Sequence, residues 1–246
     1  MRLVPLLVLV LLMAAPARAE LDSFGLGTGR NGTLTVTAAG TLINAHVPLA
    51  AGAPAGSSTL RLERLGNLSP GMLVLVHQTV GFPASTPSGN AGSVAPGAVG
   101  RWELARVETT GTEPAELGLT APLVNSYTAP GAQVVLVPEY TDVTVLSGTS
   151  LVAPPWNGRS GGIVAFLATG TVQLTGLVSA DGAGLRGGVF VNQTDTVGCT
   201  GPDLSREQGG TDKGEGLAAV RFGLATGRAN LVNGGGGGNC HNAGGG

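Results

Sequence analysis

The side chains of this 246-residue sequence that could carry chemistry are few and scattered. Beyond residue 140 the acids are Asp142, Asp181, Asp195, Asp203, Glu207, Asp212 and Glu215. A glycosidase needs two carboxyls at a defined separation flanking the sugar. Asp181 directly precedes Gly182, where a turn explains it, and the acids between residues 195 and 215 sit in a polar, glycine-containing stretch that reads as a solvated loop. The same acids lack both the D-x-D-x-D-G spacing of a calcium loop and the Gly-Gly-x-Gly-x-Asp nonapeptide repeat. His46, His77 and His241 are isolated from one another, and no serine occupies a Gly-x-Ser-x-Gly elbow. The five glycines at 234–238 are followed by neither Lys-Ser/Thr nor a helix pattern, so they are no phosphate loop. No catalytic residue, cofactor or metal ligand is therefore expected. Trp156, within Pro154-Pro155-Trp156-Asn157-Gly158, is the one candidate ligand contact. Its ring suits stacking on a sugar face, or else plugging the end of a β core with its N–H on a nearby carbonyl.

Cys199 and Cys240 are the only cysteines. One pair in an exported chain predicts one disulfide. Closing a loop of about 40 residues, it would contribute roughly 3–4 kcal/mol in the chain-entropy view. A metal site on Cys240 and His241 lacks a second pair of ligands.

Export is read from the N-terminus. Met1-Arg2 is a positive start, residues 3–13 are almost unbroken apolar, and Ala17-Arg18-Ala19 is an A-x-A cleavage site. Residues 1–19 are thus a signal peptide, and the mature protein is extracellular or on the outer cell surface. No later apolar run approaches the ~20 residues that span a bilayer as a helix, so no transmembrane span is expected after cleavage. Charged residues are 11% of the chain, against roughly 25% in an average domain. Removing Arg2 and Arg18 with the leader takes the formal charge from −2 to −4, and Lys and Arg form no cluster. That excludes a nucleic-acid partner.

The elements that would position these groups are strands and turns. Residues 20–56 form a β lead-in, in which Thr33-Leu34-Thr35-Val36-Thr37 alternates with period two. Residues 57–139 give an ordered set of strands. Thr59 to Glu63 alternates, Pro70-Gly71 turns, and residues 72–76 are continuously apolar. A Pro/Gly/Ser insertion fills 82–100, and further strands follow at 102–108, with a bulge, at 116–120 and at 133–137. From residue 140 to 232 glycines recur at 170, 176, 182 and 188, with one short strand in each gap. A fixed short period in a β-rich chain predicts a solenoid of stacked rungs, with Gly176 and Gly182 at corners of positive φ; the alternative is three consecutive hairpin strands with two-residue turns. Residues 233–246 are a glycine-rich tail that stops mid-run without a cap, as in a chain that continues. The expected fold is all-β, a small β-barrel-like module followed by a glycine-rich, parallel β-helix-like segment.

Two resemblances accompany these readings. Residues 60–62, 70–76, 104–107, 117–123 and 131–137 resemble the strands and turns of a small β-barrel adaptor module of bacterial surface and phage-tail-like proteins. The phrases VPEYTDVTVLSGTSLVAPPWNGRSGGIVAFLATGTVQLTGLVSADGAGLRGG, KGEG and NGGGGGNCHNAGGG resemble the N-terminal region of large, glycine-rich cell-surface proteins, the adventurous gliding motility proteins. That likeness implies an exported protein of the cell surface and outer membrane, concerned with gliding or attachment; with no catalytic constellation in the residues, the expectation is a non-enzymatic, structural or adhesin-like protein. Its implied partners are cell-surface polysaccharide or other envelope proteins. The alternative is a polysaccharide-active enzyme or carbohydrate-binding protein on a β-helix.

Overall fold

A computed structural model describes residues 24–81, 97–187, 190–191, 210–211 and 215–217. Among them the chain is all-β, with no helix. No helix among these residues is long and apolar enough to cross a membrane. Cys199, Cys240, His241 and the leader lie outside the described residues, as do Asp195, Asp203, Glu207 and Asp212.

Two sheet systems are interleaved along the chain. The first is a parallel stack. β1 (Leu34–Val36) pairs with β9 (Val143–Val145), and β9 pairs with β12 (Val172–Leu174). β8 (Glu139–Tyr140) carries β11 (Leu167–Ala168), and β10 (Ser150–Val152) carries β13 (Leu177–Ser179). Thr41 makes a further parallel bridge to Leu151, and β14 (Phe190–Val191) pairs antiparallel with β15 (Gly210–Thr211). The alternating strands stack like on like, Leu34 over Val143 over Val172 and Val36 over Val145 over Leu174. Val36, Val143, Val145 and Leu151 are at most 1% exposed. Tyr140 and Phe166, rings 6.3 Å apart, extend this core. Each fully buried aliphatic of this kind contributes roughly 1.5–3 kcal/mol.

The second system is a six-stranded antiparallel sheet inserted in the sequence between the first and second layers of the stack, which pair directly. It comprises β2 (His46–Pro48), β3 (Thr59–Arg61), β4 (Leu73–Gln78), β5 (Trp102–Thr112), β6 (Ala115–Leu119) and β7 (Ala132–Val137). Their order is β2-β7-β4-β5-β6-β3. The sheet curls far enough that its two edge strands meet at a Leu49–Leu62 bridge, flanked by Ala50 N–H to Arg61 O and Glu63 N–H to Pro48 O. Val47, Leu60, Val74, Val76, Val107, Leu117 and Val134 fill the inside. Leu73 to Val76 of β4 and Val134 to Val137 of β7 are apolar, and the two strands pair with each other inside the sheet. The bulge expected within 102–107 falls one step later, between Val107 and Thr109.

Two expectations need correction. The glycine interval of six is not the step of the stack. β12 and β13, on either side of Gly176, do not pair with each other; they lie on β9 and β10 of the preceding layer, with Val172 on Val143 and Leu177 on Ser150. Nor do the spaced glycines share one cause. Gly182 has φ +67°, but Gly170 and Gly176 do not have positive φ. A Cβ on Gly176 would overlap Leu146 O and come within 2.5 Å of Thr149 O, so this glycine lets one layer settle against the layer beneath.

Candidate functional site

The junction between the curled sheet and the stack collects most of the buried polar groups. β5 delivers Arg106 and the start of β8 delivers Glu139, which is 0% exposed. Arg106 Nη1 donates to Glu139 Oε2 at 2.9 Å and Nη2 to Oε1 at 3.1 Å, a two-pronged pair. Arg106 also donates to Gly71 O at 3.0 Å and lies 5.6 Å over the Phe24 ring. Glu139 Oε1 accepts the Thr28 N–H at 2.9 Å, and the Glu139 N–H donates to Asn31 Oδ1. Burial alone would push this carboxyl up; the hydrogen bonds and charge of Arg106, with the Thr28 N–H, hold it below its ordinary value. The pair thus joins the lead-in, the curled sheet and the second layer.

Amides complete the junction. Gln133, 0% exposed, donates to Thr79 Oγ1 and Gly161 O and accepts the Gly161 N–H. Asn44 donates to Leu136 O and Ala165 O and accepts the Ala165 N–H. His46 Nδ1 and the fully buried Ser160 Oγ are 2.8 Å apart. A serine–histidine pair invites a nucleophilic reading, but its surroundings oppose one. The neighbouring N–H groups of Gly161 and Gly162 are spent on Gln133 Oε1 and Pro154 O, leaving no oxyanion donors there. Burial, then the charge of Arg64, lowers the His46 pKa, and among the described residues no carboxylate bonds to the ring.

Trp156 is 5% exposed, so its ring face is not open to a sugar. Its Nε1 is the one buried side-chain polar atom without a hydrogen bond among the described residues. Burial pushes the nearby Glu215 carboxyl up, and the hydrogen bonds and charge of Arg186 hold it below its ordinary value. Glu215 is itself bonded to Arg186 at 3.0 Å through Nε and Nη2. Asp142 Oδ1 accepts the Thr171 N–H, and Asp181 lies exposed in its turn. No group of three His, Cys, Asp or Glu side chains fit to hold a metal occurs among the described residues.

Among the described residues the exposed aromatic is Trp102, at 61%, where β5 begins. It borders a cleft of about 270 Å³ lined by Phe24, Arg106, Pro122, Val124 and Asn125. The acid at this cleft, Glu103, is occupied in shaping its wall. It accepts the N–H groups of Val124 and Asn125 at 2.8 and 2.9 Å and the Tyr127 hydroxyl at 3.0 Å. Burial, then the Glu103 charge, pushes the Tyr127 hydroxyl well above its ordinary pKa. The cleft offers an aromatic face and an amide, and no free acid–base pair. Sequence reasoning missed Arg106, Glu139 and Trp102. An acid set directly after the apolar run of β7 was the available signal for Glu139.

No protein-family model and no curated protein matches the chain. Solved phage tailspikes are similar over part of it. The Pseudomonas phage phi297 tailspike gp61 matches with a TM-score of 0.28 and 14% identity, over 61% of this chain and 23% of its own. The Gp54 tailspike of Acinetobacter baumannii bacteriophage AP22, solved with A. baumannii capsular saccharide, gives 0.30 and 13%, over 57% and 23%. The tailspike gp49 from Pseudomonas phage LKA1 gives 0.27 and 12%, over 49% and 24%. The chain thus spans about a quarter of the length of each, and at this level the likeness says nothing of activity.

Proposed function

We propose that this is an exported, non-enzymatic structural protein of the outer cell surface, adhesin-like, in which the parallel layers begin a β-solenoid and the curled sheet is a rigid module set into it. The observation that supports this reading is where the buried polar groups go. Glu139, Gln133, Asn44, Ser160 and Glu215 bind other parts of the fold rather than facing a cleft together. A role in attachment or gliding rests on the resemblance of residues 140–188 and 214–246 to the gliding motility proteins. The Cys199–Cys240 disulfide belongs to the same reading, as a fastening for the C-terminal segment. Incubating the mature protein with envelope and capsular polysaccharides and following polymer length tests the non-enzymatic claim. Unchanged length is expected; progressive shortening would overturn it.

A carbohydrate-binding reading is favoured by one observation, the exposed Trp102 beside its cleft. It moves the sugar contact from Trp156 to Trp102. Quenching of tryptophan fluorescence on titration with polysaccharide, lost in Trp102→Ala, is the expected result. Quenching that survives the substitution would rule out this cleft.

A further inference from the structure

The two ends of the parallel stack differ. At the β1 end Val36 is 1% exposed, whereas at the β12 end the residues in the same columns are bare, Val172 at 43% and Leu174 at 52%, with Leu177 of β13 at 55%. In the layer beneath, Val143 and Val145 are 0% exposed. Among the described residues β12 pairs only with β9, so its far side presents a row of backbone groups without a strand partner there, beside these aliphatics. Val172 and Leu174 thus stand exposed in the columns that are core in the layer beneath.

The sequence contains a segment of the right form. Leu167-Ala168-Thr169-Gly170-Thr171-Val172-Gln173-Leu174 recurs as Leu224-Ala225-Thr226-Gly227-Arg228-Ala229-Asn230-Leu231. We propose that residues 224–231 cover the open β11–β12 edge as the next parallel strand, Ala225 over Ala168, Ala229 over Val172 and Leu231 over Leu174. The inference rests on the stack itself and not on the surface role.

Three features agree on this register. Column for column, Ala229 and Leu231 fall on the inward positions, and Asn230 continues the outward polar column of Thr35, Thr144 and Gln173. Gly170 is needed because a Cβ there would come within 2.6 Å of Asp142 Oδ1 and 2.9 Å of Thr141 O in the layer beneath; the repeat has glycine again at 227. Finally, the stack already tolerates a large excursion between two layers. β1 and β9 pair directly although the whole six-stranded sheet intervenes between Leu34 and Val143, so the interval separating Leu174 from Leu224 is no obstacle.

Paired cysteines in the full chain test the register. With Cys199→Ser and Cys240→Ser as background, Gln173→Cys combined with Asn230→Cys places two thiols on neighbouring outward positions. Parallel strands lie ≈ 4.8 Å apart, within the Cα range that a disulfide bridges. Air oxidation is expected to give an intramolecular 173–230 disulfide in most of the monomer. The control Gln173→Cys with Ala229→Cys, one residue out of phase, should form at least tenfold less. Folding of each variant is checked by hydrogen-exchange protection of β4 and β7. Equal cross-linking of both pairs, no 173–230 cross-link in a folded chain, or covalent dimers through residue 173 in its place would each overturn the proposal, the last by showing a second copy on this edge.

Discussion

Substituting Arg106 by alanine removes both prongs of the pair on Glu139, one donor to Gly71 O and the cation over Phe24. Glu139 would keep the Thr28 N–H on Oε1 and lose the arginine on both oxygens, with its side chain only 1% exposed. Breaking a buried pair from one side costs about 3–5 kcal/mol, because a charge is left without its partner. The Arg106 side chain is 18% exposed, so water reaches the gap and the loss should fall near the lower figure, about 3 kcal/mol. At a urea slope of about 2 kcal/mol/M, the unfolding midpoint drops by roughly 1.5 M. The pH dependence carries a sign as well. With Arg106 present, the Glu139 pKa is lowered from 4.5 in the folded state, so its contribution is full above that value and is lost as pH falls through the lower folded value. Without Arg106, burial is the dominant influence and raises the folded pKa. Below neutral pH this group then becomes less destabilising as it protonates. Urea midpoints from pH 3 to 8 for wild type, Arg106→Ala and the double variant Arg106→Met/Glu139→Leu would decide the matter, the double variant being expected to recover most of the loss. A loss under about 1 kcal/mol in Arg106→Ala, the range of exposed pairs, would refute the clasp.

Gly176→Ala should destabilise by about 1–3 kcal/mol through overlap with the Leu146 and Thr149 carbonyls. Gly182→Ala, which meets open space at φ +67°, should cost about 1–2 kcal/mol for backbone strain; thermal unfolding of the pair in which Gly176→Ala is neutral would remove the close-layer account. Trp102→Ala should change stability by no more than about 0.5 kcal/mol, since the ring is largely exposed; a larger shift in urea midpoint would mean that it packs against something in the chain. His46 and His77 both have folded pKa values lowered from 6.5, chiefly by burial, so stability should begin to fall as pH drops below that value. His46→Gln and His77→Gln together should flatten this part of the profile, and an unchanged slope would contradict it.

The strands were legible because their residues obey local rules. Thr33 to Thr37 alternates, β4 opens on the aliphatic run Leu73 to Val76 and β7 closes on Val134 to Val137, and Pro70-Gly71 marks the turn into β4. The partners of those strands were not legible. β1 lies beside β9 because the chain returns to it after completing the curled sheet, and nothing local to Leu34–Val36 records that return. The regular glycine interval misled because it marks strand ends within a layer, while the step between layers carries Val143 to Val172 and Ser150 to Leu177. The polar junction was hidden for the same reason. Arg106, Glu139 and Thr28 sit in three separate segments, and only the folded geometry makes them one group. Trp156 resembled a ligand contact because tryptophan serves both exposed and buried roles, and its turn sequence is silent on which.

We propose above that this protein works at the outer cell surface. The most direct test is proteolytic shaving of intact producing cells, followed by mass spectrometry of the released peptides. The account predicts peptides from the curled sheet and the stack among those released, with a mature N-terminus at Glu20. Finding the chain only inside lysed cells, with residues 1–19 still attached, would contradict it.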